Sequence, residues 1–424
     1  MLEIVNSHLC TGCGTCVGMC PNDAISMVKS CEGTYIPIVE NSKCTNCGLC
    51  IDVCPGYSVD FNELNKFTFG KVSDDVLLGN YINCYVGFSS DKEIRWNASS
   101  GGVLTALLIF ALREGFIDGA IVTRMSNHNP LEPETALAEN EEQILSAAKS
   151  KYCPVSANLR IRDILRRNGK FAFVGLPCHL QGVRKAEMLN RKLKEKIVLH
   201  FGLFCSHTSN FLGTEYLLKM INVRKQDVTK IEYRGKGWPG FMTVRLVGGN
   251  EVSVPMNKWY VISGSRFFCP VRCMLCSDAT SELSDISFGD AWLPELRNNH
   301  IGVSVVISRS RVGQKILEDA QSKGKIHIVK IDRDKVLESQ KDVLNFKKKS
   351  LAARLFLWRL FDKSIPSYNS EFLRPGMISY VSSFYGYLTM SISLRPCLLQ
   401  HLFFDQGLFL KDKVHRIYRG VPRV

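Results

Sequence analysis

The sequence lacks the segments that mark secreted, membrane-spanning and nucleic-acid-binding proteins. Its first five residues, Met1 to Val5, form neither the basic start nor the apolar core of a secretory signal. The best candidate for a membrane span, residues 375–394, is free of charge but contains five Ser and three Tyr, which makes it too polar. No DNA- or RNA-binding motif is present. We therefore predict a cytoplasmic protein without a nucleic-acid partner, in a reducing compartment where clustered cysteines bind metal.

Acidic residues are scarce near the C-terminal end. The formal net charge is +14, but residues 1–70 contain three Lys or Arg and seven Asp or Glu. Residues 345–424, by contrast, contain thirteen Lys or Arg and four Asp or Glu. A basic, aromatic segment such as 355–361 is typical of a helix that lies on an anionic membrane, and the alternative is a helix that caps the core. Peripheral contact with the inner face of the membrane is therefore one expectation for this tail.

Cysteine is plentiful, with 17 in 424 residues, and eight of these form two copies of one pattern. The copies are Cys10-x2-Cys13-x2-Cys16-x3-Cys20-Pro21 and Cys44-x2-Cys47-x2-Cys50-x3-Cys54-Pro55. In bacterial ferredoxins with this spacing, three thiolates of one run bind one [4Fe–4S] cluster and the fourth binds the other. Zinc sites instead pair one C-x2-C with a distant second pair. We predict one cluster on Cys10, Cys13, Cys16 and Cys54, and a second on Cys44, Cys47, Cys50 and Cys20.

A third cysteine group, Cys269-x3-Cys273-x2-Cys276, has the spacing of three ligands on one loop. It predicts a third [4Fe–4S] cluster, with a zinc site or buried thiols as the alternative. The fourth ligand must come from elsewhere. Cys178 and Cys205 each follow a predicted strand, and parallel strands would place both at the same sheet edge. We expect Cys205 to be the ligand, with Cys178 or Cys153 as alternatives.

The same C-x3-C-x2-C spacing occurs in radical S-adenosylmethionine enzymes, which form a rival class. Those enzymes usually have an aromatic residue where Leu275 stands here. They also need most of a β/α barrel after the motif, and only about 70 patterned residues follow it. Both observations disfavour this class.

The pattern of apolar segments predicts an α+β multidomain chain. Residues 1–66 form a ferredoxin-type module with two clusters. Residues 80–225 form an α/β domain with strands at 119–123, 171–175 and 197–201. Residues 226–344 complete the same unit with an antiparallel hairpin at 241–247 and 251–254. Residues 345–424 form a basic, aromatic, helical tail.

Several short motifs follow one another along the chain. They are Ser99-Ser100-Gly101-Gly102, Ser150-Lys151-Tyr152, Gly175-Leu176-Pro177-Cys178, Gly202-Leu203-Phe204-Cys205 and Asp285-Ile286-Ser287-Phe288-Gly289-Asp290, with the third cysteine group between the last two. This order resembles the β-subunit family of coenzyme F420-reducing hydrogenases and dehydrogenases, to which plant 7-hydroxymethyl chlorophyll a reductases are related. The resemblance covers about residues 1–330 and excludes the tail.

The resemblance implies FAD and a [4Fe–4S] cluster in the main domain. By motif, the residues that would contact FAD are Ser99, Ser100, Gly101, Gly102, Thr105 and Lys151. A helix start at Val103 would offer N–H groups to the cofactor diphosphate. We treat His179, Lys151 and Asp290 as candidate catalytic residues that donate protons or tune the flavin. The alternatives are a structural imidazole at His179 and a turn cap at Asp290.

These features predict an iron–sulfur flavoprotein oxidoreductase. Electrons would pass from a ferredoxin-type donor or a reduced deazaflavin, through the clusters, to FAD and an unknown organic substrate. The alternative is an electron-transfer subunit that docks on a hydrogenase or dehydrogenase partner and has no substrate of its own.

Overall fold

A computed structural model describes residues 1–370 and 372–393 of the chain. Its strands are β1 (Ile25–Lys29), β2 (Tyr35–Val39), β3 (Ser58–Val59), β4 (Asn83–Ser89), β5 (Gly119–Met125), β6 (Pro133–Ala138), β7 (Phe171–Gly175), β8 (Ile197–Leu203), β9 (Val228–Glu232), β10 (Phe241–Leu246), β11 (Glu251–Pro255), β12 (Ile286–Asp290), β13 (Ser304–Ser308), β14 (Ile326–Ile331) and β15 (Ser367–Tyr368).

The helices alternate with these strands through most of the chain. They are α1 (Leu2–Asn6), α2 (Thr15–Met19), α3 (Leu49–Asp52), α4 (Phe61–Phe69), α5 (Lys92–Asn97), α6 (Val103–Arg113), α7 (Glu141–Ser146), α8 (Ile161–Arg166), α9 (Pro177–Leu189), α10 (Arg191–Lys196), α11 (Phe211–Met220), α12 (Met256–Gly264), α13 (Val271–Met274), α14 (Arg311–Ser322), α15 (Arg333–Ser339), α16 (Lys341–Leu344), α17 (Leu351–Leu360) and α18 (Met377–Ser393). A π-helical turn, Asn345–Lys349, precedes α17.

An open sheet of eight strands organises the main domain, in the order β14-β4-β13-β12-β8-β7-β5-β6. Its centre, β5-β7-β8-β12, is parallel, and the outer pairings are antiparallel. The predicted strands at 119–123, 171–175 and 197–201 are confirmed, because their apolar runs are buried between helices. Strands from both 80–225 and 226–344 enter this sheet. An open sheet of this kind is unlike the barrel of the radical-enzyme class.

Helices cover both faces of the sheet. On one face, α6 and α14 pack Leu107 and Leu317 against Phe201 of β8. On the other, α8, α9 and α10 pack Ile164, Val183 and Leu193 against β7 and β8. The strands therefore have two buried faces, which gives their sequences continuous apolar runs. The predicted hairpin is confirmed as β10 and β11, which form a separate three-stranded sheet with β9.

The cysteine-rich N-terminal module packs directly on this domain. Asn158 donates from Nδ2 to Thr15 Oγ1 at 2.7 Å, and Ser156 donates from Oγ to the Gly12 carbonyl at 2.7 Å. At Gly18, an added Cβ would lie 2.5 Å from the Asn158 carbonyl, so the close approach requires glycine there. The module is therefore held in fixed contact with the main domain.

The tail wraps over the module and the third cysteine group. Strand β15 pairs with β3 of the module, and Leu355 and Trp358 of α17 pack with Cys269 and Leu275. The described part of the tail is helical in α17 and α18, and residues 394–424 of the predicted tail lie outside the described residues. In the part of the chain described, no helix combines the length and apolar character needed to cross a bilayer.

Candidate functional site

Four thiols of the N-terminal module form an inner group, in which Cys13 is buried and Cys10, Cys16 and Cys54 are half-buried. The pKa of the Cys10 thiol is raised to about 12, chiefly by burial and to a smaller extent by the Cys13 and Cys54 thiols, against the lowering effect of the Gly12 amide. Burial also raises the pKa of Cys16, with contributions from Cys13, Cys10 and Cys54. The crossing cysteine of the second run therefore lies beside the first run, as the ferredoxin spacing predicts.

The outer group of the module lies near the surface. Cys47 is exposed, and Cys20, Cys44 and Cys50 are half-buried. Burial raises the pKa of the Cys50 thiol, and Cys47 and Cys44 contribute in the same direction. Gly14 and Gly48, with φ of 81° and 77°, begin the helices that follow the two cysteine loops. The two runs thus share a backbone geometry but differ in their exposure to solvent.

The third cysteine group meets Cys178 and Cys205 at a small internal cavity of about 50 Å³. Cys205 follows β8 and Cys178 begins α9, so the parallel neighbours β7 and β8 bring both to one sheet edge. The cavity is also lined by Cys273, Cys276 and Cys10 of the inner group. A hydrogen bond from the Cys269 thiol lowers the pKa of Cys273 to about 6.

Cys153 occupies a different environment. It is buried in the core with Phe211, Tyr233 and Trp259, and burial raises the pKa of its thiol to about 12. The pKa of Cys178, by contrast, is raised by burial and then by Cys13, Cys205, Cys276 and Cys273. Of the three candidates for the fourth ligand, Cys178 and Cys205 therefore stand beside the third group.

The three thiol groups are the residues that could hold iron–sulfur clusters. Across residues 1–370 and 372–393, no three His, Cys, Asp or Glu side chains converge to hold one metal ion. A cubane binds its four thiolates at four separate irons, so its ligands are spread more widely than those of one ion. Lys347, fully buried, lies among the third group and donates from Nζ to the Cys273 carbonyl at 3.4 Å. A buried cation suits a cluster that carries negative charge.

A larger cavity, of about 700 Å³, lies between α5, α6, β9 and the loop at 148–151. Of the six predicted FAD residues, Thr105 and Lys151 line it. Lys151 donates from Nζ to the carbonyls of Ala148 and Lys149, at 2.9 and 2.8 Å. Burial lowers the pKa of its ammonium group to about 7. The volume is typical of a site for a small-molecule cofactor.

The other four predicted FAD residues, Ser99 to Gly102, pack beside this cavity without lining it. Ser99 Oγ accepts from the Ser150 amide at 2.8 Å, and Ser100 Oγ lies 2.8 Å from Ser304 Oγ. A Cβ at Gly101 would lie 2.4 Å from the Gly87 carbonyl. Gly102, with φ of 76°, begins α6. This segment therefore joins α6 to the sheet and positions the 148–151 loop.

The predicted catalytic residues lie in separate environments. His179 Nδ1 accepts from the Leu176 amide at 3.1 Å, so Nε2 carries the proton and donates to the Val155 carbonyl at 3.1 Å. Burial lowers the pKa of His179 to about 4, which keeps the ring neutral. Asp290 ends β12 and pairs with Arg234 at 3.0 Å. Only Lys151 of the three lines the larger cavity.

Arg234 is a residue that the sequence patterns did not single out. Its guanidinium is buried and donates to the Ser99 carbonyl, to Tyr152 Oη at 3.0 Å and to Asp290 Oδ2 at 3.0 Å. Burial opposes its charge, but Asp290 and Tyr152 outweigh this effect and raise its pKa. The one available signal was its position shortly before Trp238-Pro239-Gly240, whose Pro and Gly are typical of a turn. Arg234 thus joins three of the sequence motifs.

Comparison with known proteins places this architecture in a family. Profiles of the coenzyme F420 hydrogenase/dehydrogenase beta subunit match at residues 84–161 for the N-terminal part and 168–334 for the C-terminal part. A 4Fe-4S dicluster domain profile matches residues 9–57.

Individual relatives agree with these profiles. The coenzyme F420 hydrogenase subunit beta of Methanosarcina barkeri is 31% identical over 262 residues, which cover 59% of this chain and 82% of the relative. The coenzyme F420-dependent sulfite reductase of Methanocaldococcus jannaschii is 26% identical over 78% of this chain and 49% of its own length. A chain in the structure of the F420-reducing [NiFe] hydrogenase complex from Methanosarcina barkeri superposes with a TM-score of 0.54 and 28% identity, covering 70% of this chain and 98% of that chain.

The chain therefore belongs to the coenzyme F420 hydrogenase/dehydrogenase beta subunit family, a family of iron–sulfur electron-transfer subunits. It carries a fused 4Fe-4S dicluster module at its N-terminal end. The resemblance inferred from the motifs is confirmed.

Proposed function

We propose that this chain is an iron–sulfur flavoprotein oxidoreductase. In this proposal, electrons pass from a ferredoxin-type donor or a reduced deazaflavin, through three [4Fe–4S] clusters, to FAD and an organic substrate. The observation that carries the proposal is the shared lining of the small cavity by Cys10 of the inner group and by Cys205, Cys273 and Cys276. Two of the predicted cluster sites are therefore neighbours.

The exposure of the thiol groups supports a direction of electron transfer, from the surface toward the interior. In the outer group Cys47 is exposed and Cys20, Cys44 and Cys50 are half-buried, whereas Cys269 and Cys276 of the third group are buried. An external protein donor can approach only a site near the surface. The outer group would therefore exchange electrons with the donor, and the buried groups would serve the interior of the molecule.

The larger cavity would hold FAD, which when bound supplies the conversion between one-electron and two-electron chemistry. Basic side chains outnumber acidic ones in its lining, which favours an anionic diphosphate. The basic ones are Arg113, Arg124, Lys149, Lys151, Lys230 and Lys325, and the acidic ones are Asp91, Glu93, Glu141 and Glu232. Thr105 would donate its hydroxyl at the start of α6. Lys151 lines this cavity and would donate a proton there by exchanging one of its hydrogen bonds to the carbonyls of Ala147, Ala148 and Lys149, and burial lowers its pKa to about 7.

An aromatic cluster lies beside this cavity and within electrostatic reach of Cys205. The ring of Tyr152 lies 5.0 Å from Trp259 and 6.1 Å from Tyr233, and Tyr233 lines the larger cavity. The Cys205 thiolate is among the groups that raise the pKa of Tyr152, although burial has the largest effect. The third cluster site and the FAD site would therefore be separated by packed aromatic side chains rather than by solvent.

The second candidate function is an electron-transfer subunit that docks on a hydrogenase or dehydrogenase partner and has no substrate of its own. Two relatives favour it, because one is named as a hydrogenase subunit and the other is a chain of a hydrogenase complex. Both functions use the same clusters, but only the first requires a substrate at the flavin.

Iron, sulfide and flavin quantitation on one anaerobically purified sample tests the cofactor set. About twelve irons and one FAD per chain are expected. About eight irons and no flavin would leave only the N-terminal clusters and would contradict the proposed flavin site. The docking function would then be the better explanation of the main domain.

A further inference from the structure

The tail presents an apolar surface that the redox sites do not use. Side chains of α17 and α18 are exposed to an unusual degree: Ile378 by 84%, Met377 by 80%, Val381 by 67% and Leu360 by 65%. Ring contacts join the two helices, since Phe356 lies 5.9 Å from Tyr380 and Phe361 lies 6.5 Å from Phe384. We call this surface the tail face: Phe356, Leu360, Phe361, Met377, Ile378, Val381, Phe384 and Leu388.

Helix α18 exposes its apolar stripe to solvent and buries its small side chains, which is the reverse of an ordinary surface helix. Its buried side consists mostly of small residues, Ser383, Gly386, Thr389 and Ser393, and Met390 is the large exception. Its apolar residues recur at helical spacing on the side that faces outward. A surface helix in water normally buries that stripe. The tail face therefore has the properties of a contact surface rather than of a core.

The charge around the tail face identifies its partner. Exposed basic residues lie in the π-helical turn before α17, on α17 and in the segment that leads to α18, at Lys349, Arg359, Lys363 and Arg374. Among described residues from 345 onward, Asp362 is the one acidic side chain. Two copies packed through this face would bring like charges together, which disfavours self-association. Residues 394–424 contain six Lys or Arg and two Asp, so the same positive sign continues along the chain.

We propose that the tail face docks the protein on an anionic lipid bilayer, with α17 and α18 lying in the plane of the interface. Apolar side chains would enter the boundary between headgroups and acyl chains, and the basic residues would contact anionic headgroups. This inference does not depend on the proposed redox function.

Sedimentation of the full-length chain with vesicles tests the proposal. One set of vesicles is pure phosphatidylcholine, and the other is an equimolar mixture of phosphatidylcholine and phosphatidylglycerol. We expect binding to the mixed vesicles that weakens with salt, and little binding to the neutral ones.

Two groups of variants separate the apolar and the charged contributions. Combining Met377→Gln, Ile378→Gln and Val381→Gln should weaken binding to mixed vesicles by about tenfold or more. Combining Arg359→Gln, Lys363→Gln and Arg374→Gln should remove the preference for anionic lipid. The matched control combines Val247→Gln and Val312→Gln, which are 67% and 54% exposed elsewhere on the molecule and should bind as the unaltered chain does. Unchanged iron content confirms that each variant is folded.

Three outcomes would overturn the proposal. The first is the absence of vesicle binding, which is also the result expected if residues 394–424 cover the tail face. The second is equal loss of binding in the control variant. The third is a dimer in light scattering that the substitutions at 377, 378 and 381 abolish, because the tail face would then belong to a second copy.

Discussion

Lys347 is a buried cation beside the proposed third cluster site. Burial opposes its ammonium charge, but Cys276, Cys205 and Cys273 outweigh this and raise its pKa. A positive charge next to a cluster stabilises the reduced state, which is the more negative one. Lys347 comes from the π-helical turn at the start of the tail, so the tail completes the environment of the third site.

We predict that Lys347→Met lowers the midpoint potential of the third cluster by on the order of 50–100 mV. A redox titration followed by electron paramagnetic resonance measures this shift. Lys349→Met is the matched control, because Lys349 is exposed and lies two residues further along the same turn. Equal potentials in both variants would show that Lys347 does not act on the cluster.

Single substitutions can also decide which cysteine is the fourth ligand of the proposed third cluster. Apart from burial, Lys347 and the thiols of Cys273 and Cys276 have the largest influence on the pKa of Cys205, whereas Cys13 has the largest on that of Cys178. We therefore expect Cys205→Ala to lose the third cluster and leave about eight irons per chain, while Cys178→Ala retains about twelve. The opposite pattern would assign the ligand to Cys178.

At the scale of elements, a buried charge network joins α9, β8 and the segment before β12. His200 Nε2 lies 2.6 Å from Glu187 Oε1, and Nδ1 lies 3.0 Å from Asp285 Oδ2. Arg184 donates to Glu187 at 2.9 Å and lies 3.6 Å from Asp285. Both ring nitrogens face carboxylates, so the imidazole is held in its charged form. Two cations and two anions then balance within the core.

This network makes stability depend on pH. Burial and Arg184 oppose the imidazolium, but Glu187 and Asp285 raise the pKa of His200 overall. Its contribution to stability is therefore complete below the unfolded pKa of about 6.5 and is lost as pH rises through the folded pKa. We predict that the melting temperature falls at alkaline pH in the unaltered chain, and that His200→Gln reduces this dependence.

The same variant should also be less stable near neutral pH, by about 3 kcal/mol, because it leaves two buried carboxylates with Arg184 as their one remaining cation in the network. Adding Glu187→Gln to His200→Gln should cost less than the sum of the two single changes. Strict additivity would mean that the two side chains do not act as one network.

The sequence predicted those elements whose signal is local. The cysteine runs were recognisable because three ligands of each cluster lie on one loop. The strands at 119–123 and 171–175 were recognisable because burial on both faces demands a continuous apolar run. Arg234 and Lys347 were not recognised, since Asp290 lies 56 residues from the first and Cys273 lies 74 residues from the second. A lone basic residue gives no sign of a partner so far along the chain.

The whole molecule arranges its thiol groups from the surface inward. The outer group of the module includes the exposed Cys47, the inner group includes the buried Cys13 and packs against the main domain, and the third group lies beneath the tail. The aromatic cluster around Tyr152 lies beside the larger cavity, which Tyr233 lines. Every site on the proposed electron path is thus positioned by contacts between different parts of the chain.

This arrangement predicts the effect of removing the outer cluster alone. Cys47→Ala should lower the iron content from about twelve to about eight per chain, because one cubane loses a ligand. Reduction of the flavin by a reduced bacterial-type ferredoxin should then fall almost to zero, since the donor can reach no other site. Small chemical reductants should still reduce the flavin, because they diffuse to the interior.

Cys31→Ala, at an exposed cysteine of the same module outside both runs, should leave both rates unchanged. If Cys47→Ala still accepts electrons from ferredoxin at the original rate, the donor must enter at the inner or third group, and the order of sites proposed here is wrong.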